Sequence, residues 1–357
     1  MKKKAFTLVE LMLAAGLMTI IFTVVLSIAA NVLNNWNRTS GTVKAMAQAN
    51  VMLKMIQEDF ECLVLKQDGG AWLQVDYTDD VGMLTGDDIR DKKPLAPPEI
   101  IFYSAPLDRP RYTKQEMSSD AYKRTPIAGS LCAMRYKVAV KSPFLESTGT
   151  ETGDAAQTNA FYGFYRAIID AQSTFEYALG EDIQGSTTVD VSNLLYNFWN
   201  RGSSQVLKED GYRSMENLKT WSLSPENLLT TNVVDFRVSF TVKYLKNDGD
   251  PYDKYAYATI PAGVPFTFSD RLYLEKNLYT RSSQDSSFIY NVSPTEVENS
   301  TLAYAEVSLT ILTPKGEKEM RNLMGFGTLT QEKFREIVLE NSVTVAKRIS
   351  FVGGDTL

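Results

Sequence analysis

Between Leu11 and Val32 the chain carries no charged residue, and nearly every position is apolar or small. A run of about 18 or more such residues is long enough to cross a bilayer as a helix. Lys2, Lys3 and Lys4 stand immediately before it, which holds that end in the cytoplasm and sends the C-terminal bulk outward. A secretory signal peptide also has a basic start and an apolar stretch, and Ser27-Ile28-Ala29 is an acceptable small-x-small cut that would release a soluble exported protein beginning at Ala30. Two features oppose that reading. The run exceeds the usual apolar region of about 7–15 residues. Glu10 also stands at its entrance, where a carboxylate costs free energy and serves no export purpose.

The helical pattern continues past the apolar run. No proline precedes Pro94, and the first paired glycines are Gly69-Gly70. Met46, Ala49, Leu53, Ile56, Phe60 and Leu63 recur at three- and four-residue steps, the mark of an apolar helical face. Lys44, Asn50, Lys54, Glu58 and Glu61 fill the other faces. The spacing predicts one helix from Phe6 to about Asp68, roughly 90 Å long at 1.5 Å per residue. Residues 6–31 form its apolar, transmembrane half and residues 32–69 its amphipathic half. Two helices joined near Asn35-Trp36-Asn37 are the alternative.

Lys-Lys-Lys-Ala followed by Phe6-Thr7-Leu8-Val9-Glu10-Leu11 resembles the prepilin cleavage and methylation signature of type IV pilins and type II secretion pseudopilins. The match covers about the first thirty residues, and the Ala49–Val64 segment is similar to the larger J-type and W-type minor subunits. The resemblance implies a leader of residues 1–5 and a peptidase cut between Ala5 and Phe6. It implies N-methylation of Phe6 and a subunit-assembly role for Glu10, the fifth mature residue. The family usually has Gly before the cut, where this chain has Ala5. The partners so implied are other pilin or pseudopilin subunits, a prepilin peptidase, an inner-membrane assembly platform and membrane lipid. The implied location is the bacterial inner membrane, with the head periplasmic, and then a filament.

From residue 70 to 357 the texture changes to short β-prone runs between polar loops. In Leu131–Lys141, Cys132, Met134, Tyr136, Val138 and Val140 alternate with Arg135, Lys137 and Lys141. Val234, Phe236, Val238, Phe240 and Val242 alternate with polar residues in Val233–Tyr244, and Ala305, Val307, Leu309 and Ile311 do so in Ala303–Leu312. Such alternation predicts antiparallel strands with one buried face. Ile100–Ser104, Phe161–Ile169 and Val343–Phe351 are further strands, with a short helix over Gln331–Glu340. The expected fold class is α+β, a long N-terminal helix packed on an antiparallel β-sheet head. Polar stretches in Glu146–Leu228 and Leu245–Thr301 read as elaborated loops.

The 357 residues include no histidine, which removes Ser-His-Asp and Cys-His catalysis and His-ligated metals. A net charge of -6 gives no footprint for nucleic acid. No phosphate-binding glycine loop occurs, so a structural subunit and not an enzyme is expected, with no cofactor. Two acidic clusters invite a calcium reading: Asp76, Asp79, Asp80, Asp87 and Asp88, and Asn247-Asp248-Gly249-Asp250 with Asp253. Neither has EF-hand spacing, and solvated turns are the simpler account. The two cysteines, Cys62 and Cys132, fall beside the helical stripe and on the apolar face of a strand. They are either a disulfide in the helix–sheet interface or two free thiols.

Overall fold

A computed structural model describes residues 8–64, 72–77, 97–116, 122–141, 161–175, 222–245, 255–260, 262, 266–268, 272–274, 301–326 and 328–351. Helix α1 spans Leu8–Glu61 without a break, about 80 Å at 1.5 Å per residue. No proline interrupts it, and the hydroxyls of Thr19, Thr23 and Thr42 are satisfied within the helix by donating to the carbonyls four residues back. It ends earlier than the expected Asp68. Past Glu61 the backbone finds strand partners instead: the Val64 amide donates to the Tyr103 carbonyl, and the Ala105 amide to the Cys62 carbonyl.

The strands are β1 (Leu73–Asp76), β2 (Glu99–Ser104), β3 (Tyr112–Glu116), β4 (Tyr122–Pro126), β5 (Cys132–Lys141), β6 (Phe161–Ile169) and β7 (Leu228–Thr231). They continue as β8 (Val233–Leu245), β9 (Tyr255–Ile260), β10 (Phe266–Phe268), β11 (Leu272–Leu274), β12 (Thr301–Leu312) and β13 (Ser342–Ser350). Two helices, α2 (Pro314–Gly325) and α3 (Gln331–Asn341), join β12 to β13. Thr313 and Thr330 cap them, accepting from the Gly316 and Lys333 amides, and Pro314 opens α2.

The fold is α+β with antiparallel sheets, but the head has two main sheets where one was expected. One runs β11-β10-β1-β2-β5-β6-β7 and the other β13-β12-β8-β9, with β3-β4 a separate hairpin. Only Asn232 separates β7 in the first sheet from β8 in the second, and it takes a left-handed φ of 72°. Its amide donates to the Tyr162 carbonyl and its carbonyl accepts from Leu312, so the corner is tied to both sheets. Between the sheets lies an aromatic core: the Phe164 and Phe236 rings are 5.0 Å apart and the Phe240 and Phe266 rings 5.1 Å.

Helix α1 joins this core through Ala45, Ala49, Met52, Leu53, Ile56, Asp59 and Phe60, all buried. The Phe60 ring touches Phe102 of the first sheet at 5.2 Å, Phe240 of the second at 6.1 Å and Phe351 at 5.9 Å. Met46, expected in the stripe, is exposed, and Ala45 takes its place. At the other end of this contact, a Cβ on Gly41 would lie 3.2 Å from Pro314 Cδ, so glycine lets the helix pass close to the start of α2. From Leu8 to Ser40 every residue is exposed, and this stretch contains an apolar run long enough to cross a membrane.

The alternating faces of β8 and β12 stand as expected, with Phe236, Val238, Phe240, Ala305, Val307, Leu309 and Ile311 buried. Strand β5 departs from its expected pattern. Arg135 and Lys137, on the face away from Tyr136, are buried as well, because both reach Glu99 on β2.

Candidate functional site

Two features outside the apolar packing can carry function: the exposed half of α1 with Glu10, and a buried charge cluster where α1 ends. Glu10 lies in the first turn of the described helix and is exposed. Ala5 and Phe6, the expected cleavage and methylation residues, lie outside the described residues.

The buried cluster centres on Asp59, whose carboxylate falls on the same helical face as Ile56 and Phe60. Arg166 of β6 reaches it with two parallel hydrogen bonds, Nε to Oδ2 at 2.7 Å and Nη2 to Oδ1 at 2.6 Å. The same guanidinium grips Asp108 through Nη1 to Oδ2 at 2.6 Å and Nη2 to Oδ1 at 2.9 Å. The Tyr136 hydroxyl also donates to Asp59 Oδ2, and the Ser104 hydroxyl donates to the Asp59 carbonyl at 2.8 Å. Tyr136 and Arg166 are register partners on adjacent strands, so the sheet presents both donors to one point on the helix. Planar forks of this kind fix geometry as well as charge.

Burial pushes the Asp59 carboxyl above its ordinary value, against the hydrogen bonds and charge of Arg166. The Arg166 hydrogen bond pulls Asp108, which is half open to water, below its ordinary value. Burial works against the Arg166 charge, but its bonds to Asp59 and Asp108 outweigh that and hold the proton more firmly than usual. Burial and the Asp59 charge push Tyr136 well up, so its phenol stays protonated and donating. All these groups are engaged with one another, and the chemistry they support is attachment of helix to sheet.

A second buried set joins β2 to β5. Glu99 receives Arg135 at 2.5 Å and Lys137 at 3.0 Å, and Arg135 Nη1 donates to the Ser222 hydroxyl at 2.7 Å. Neither set was foreseen from the sequence.

Cys62 and Cys132 are free thiols, so the disulfide considered above is not formed. Cys132 faces Ser104 across the β2–β5 pair, and Leu63 bridges Ser104 from the other side. Two strand spacings, about 10 Å, separate the segments, beyond the roughly 7 Å reach of a disulfide between Cα atoms. Burial pushes the Cys132 thiol up to about 12, and burial with the Asp59 charge raises Cys62. Both stay protonated and poorly nucleophilic near neutrality.

Among the described residues no cluster of acidic or cysteine side chains could hold a metal. Of the calcium candidates, Asp76 is described, as the last residue of β1. Asp79, Asp80, Asp87, Asp88 and the Asn247–Asp253 cluster lie outside the described residues.

No family model, curated protein or solved structure matches this chain.

Proposed function

We propose that the chain is a minor subunit of a pilin-like filament, of the type IV pilus or type II secretion kind, anchored by α1 before assembly. The observation that carries this reading is one helix with two fates: exposed through Leu8–Ser40 and almost wholly apolar from Leu11 to Leu33, then packed into the head by Ala45–Phe60. A helix apolar on every side needs lipid or other apolar helices around it. The prepilin-like residues Ala5 and Phe6, and Glu10 five places into the mature chain, support the filament over a plain anchor. In this reading the head faces the periplasm and the subunit has no catalytic task.

Glu10 is the residue on which the reading turns. Insertion scales charge about 2.5–3.5 kcal/mol for an acidic residue at the centre of a span, and less toward its ends. A cut before Phe6 creates a cationic amine at nearly the same depth, so Glu10 of one subunit can neutralise Phe6 of its neighbour and set their axial register. Glu10→Val is therefore expected to leave membrane insertion, cleavage and head folding intact and to remove the subunit from filaments. The measurement is the partition between sheared filaments and membranes, with sequencing of the mature amino terminus. A start at Ala30 would replace the filament reading with export, and normal incorporation of the variant would sink the pairing mechanism.

A further inference from the structure

The exposed run of α1 and the head are separated by almost no spacer. The last large apolar residue of the run is Leu33, and Trp36 and Arg38 follow, residues that settle at a membrane–water interface. The head begins at Gly41, where the helix meets Pro314. Eight residues from Leu33 to Gly41 rise about 12 Å, and the headgroup layer occupies about 5–8 Å of that. Whatever part of the head surrounds Pro314 is therefore brought to the bilayer surface.

That part is the α2–α3 hairpin. It starts at Pro314 and returns at Asn341, whose carbonyl accepts from Thr313. Met320, Met324 and Ile337 point into the core, and Phe334 meets Tyr162 of the other sheet at 5.8 Å, so the hairpin closes this end of the two-sheet stack. Leu339, two residues before Asn341 at the base of the hairpin, is 85% exposed, and Phe326, at the end of α2, 80%; they are the two most exposed large apolar residues outside α1 among those described. Acidic and basic side chains occur in equal number along the hairpin, so exposed apolar side chains, and not net charge, distinguish it. Apolar side chains set among charges are what the headgroup layer accepts.

We propose that the α2–α3 hairpin is a membrane-seating surface: in the anchored, unassembled protein its base rests on the bilayer with Leu339 in the headgroup layer. This rests on the anchoring proposed above. Leaving the membrane for a filament then requires lifting this surface from lipid, which holds the head in a defined orientation until extraction.

The test uses nitroxide labels on the full chain in phosphatidylcholine vesicles, with Cys62→Ala removing the half-buried thiol. Leu339→Cys reports on the hairpin, Leu17→Cys on the span, and Leu107→Cys on the part of the head that lies beside Asp108, toward the Asp59 end of α1 and away from Gly41. Collision with oxygen relative to a water-soluble nickel complex should be several-fold higher at Leu339→Cys than at Leu107→Cys, and unchanged by added anionic lipid. If Leu339→Cys is as wet as Leu107→Cys while Leu17→Cys lies in hydrocarbon, the seating is wrong and the anchor stands. If Leu17→Cys is also in water, the anchor itself fails and the seating with it. Shielding of Leu339→Cys from both reagents would mean that protein covers the hairpin, which overturns the lipid assignment.

Discussion

The two halves of α1 share one backbone and differ in everything that touches it. From Leu8 to Ser40 no side chain is buried; from Ala45 to Phe60 a stripe is sealed between the helix and the two sheets. The second half also ends in ionic contacts, where Asp59 meets Arg166. An apolar surface as long as the first half exceeds what a protein in water leaves open without a partner. The head's stability should therefore depend on the second half alone, while the first half should matter only for its surroundings.

The largest departures are expected at the end of α1. Phe60→Ala removes a ring that touches three others and should cost about 3–5 kcal/mol, whereas Leu17→Ala in the exposed half should stay within about 0.5 kcal/mol. Denaturant unfolding of the full chain in detergent measures both, and equal losses would erase the contrast between the halves. Arg166→Met leaves the buried Asp59 carboxylate without its counter-charge and should also cost about 3–5 kcal/mol. Adding Asp59→Leu should then recover much of that loss, because the desolvated charge is gone. A single-variant loss below about 1 kcal/mol would mean that the ion pair does not hold the helix.

Next in size is the close approach of α1 to β13 and β12. Ala45 and Ala49 are fully enclosed, and small side chains let the helix come near the strands. Ala49→Leu should overpack this contact and cost about 1–3 kcal/mol. Ala47→Leu, two residues away on the exposed side, should be close to neutral. If both variants are neutral, the helix can shift on the sheet and the small residues do not set its distance.

Much of the layout was legible in residue patterns, for reasons specific to each element. Strands β8 and β12 alternate cleanly because each has one face in the core and one open or polar. The Gln331 helix and the last strand fell where their apolar periods placed them. The short strands β1, β7, β10 and β11 carry too few residues for a period to emerge, and the second sheet depends on a turn at Asn232 that no local pattern marks. Met46 stands out in the sequence stripe as a long apolar side chain, whereas the tight helix–sheet contact selects the smaller Ala45. In the sequence Asp59 looks like one more acidic residue beside Glu58 and Glu61, although its spacing from Ile56 and Leu63 places it on the apolar face. Its partner lies 107 residues away, in Phe161–Ile169, a strand expected from its sequence and almost wholly buried in the structure. An arginine in such a run needs a buried counter-charge, and that demand was the available signal for the cluster.

The smallest expected effect separates the two carboxylates that share Arg166. The Arg166 hydrogen bond holds Asp108 below its ordinary value. That stabilisation is present above the unfolded carboxylate range of about pH 4 and is lost as pH falls through the lowered folded value. Asp59 has the opposite sign: burial raises it, so the folded state takes up its proton first and gains stability relative to the unfolded chain as pH falls through that raised value. Asp108→Asn removes the first contribution, and with it the like charge that helps to raise Asp59. The stability difference between wild type and Asp108→Asn should thus be small, in favour of wild type near neutrality, and should shrink as pH is lowered through and below about 4. Taking the difference cancels the many other carboxylates that titrate in the same range. Paired unfolding curves at a series of pH values provide the check. A difference that stays constant with pH would show that Asp108 draws nothing from Arg166, leaving Asp59 as the sole anionic side of the contact that fastens α1 to the sheet.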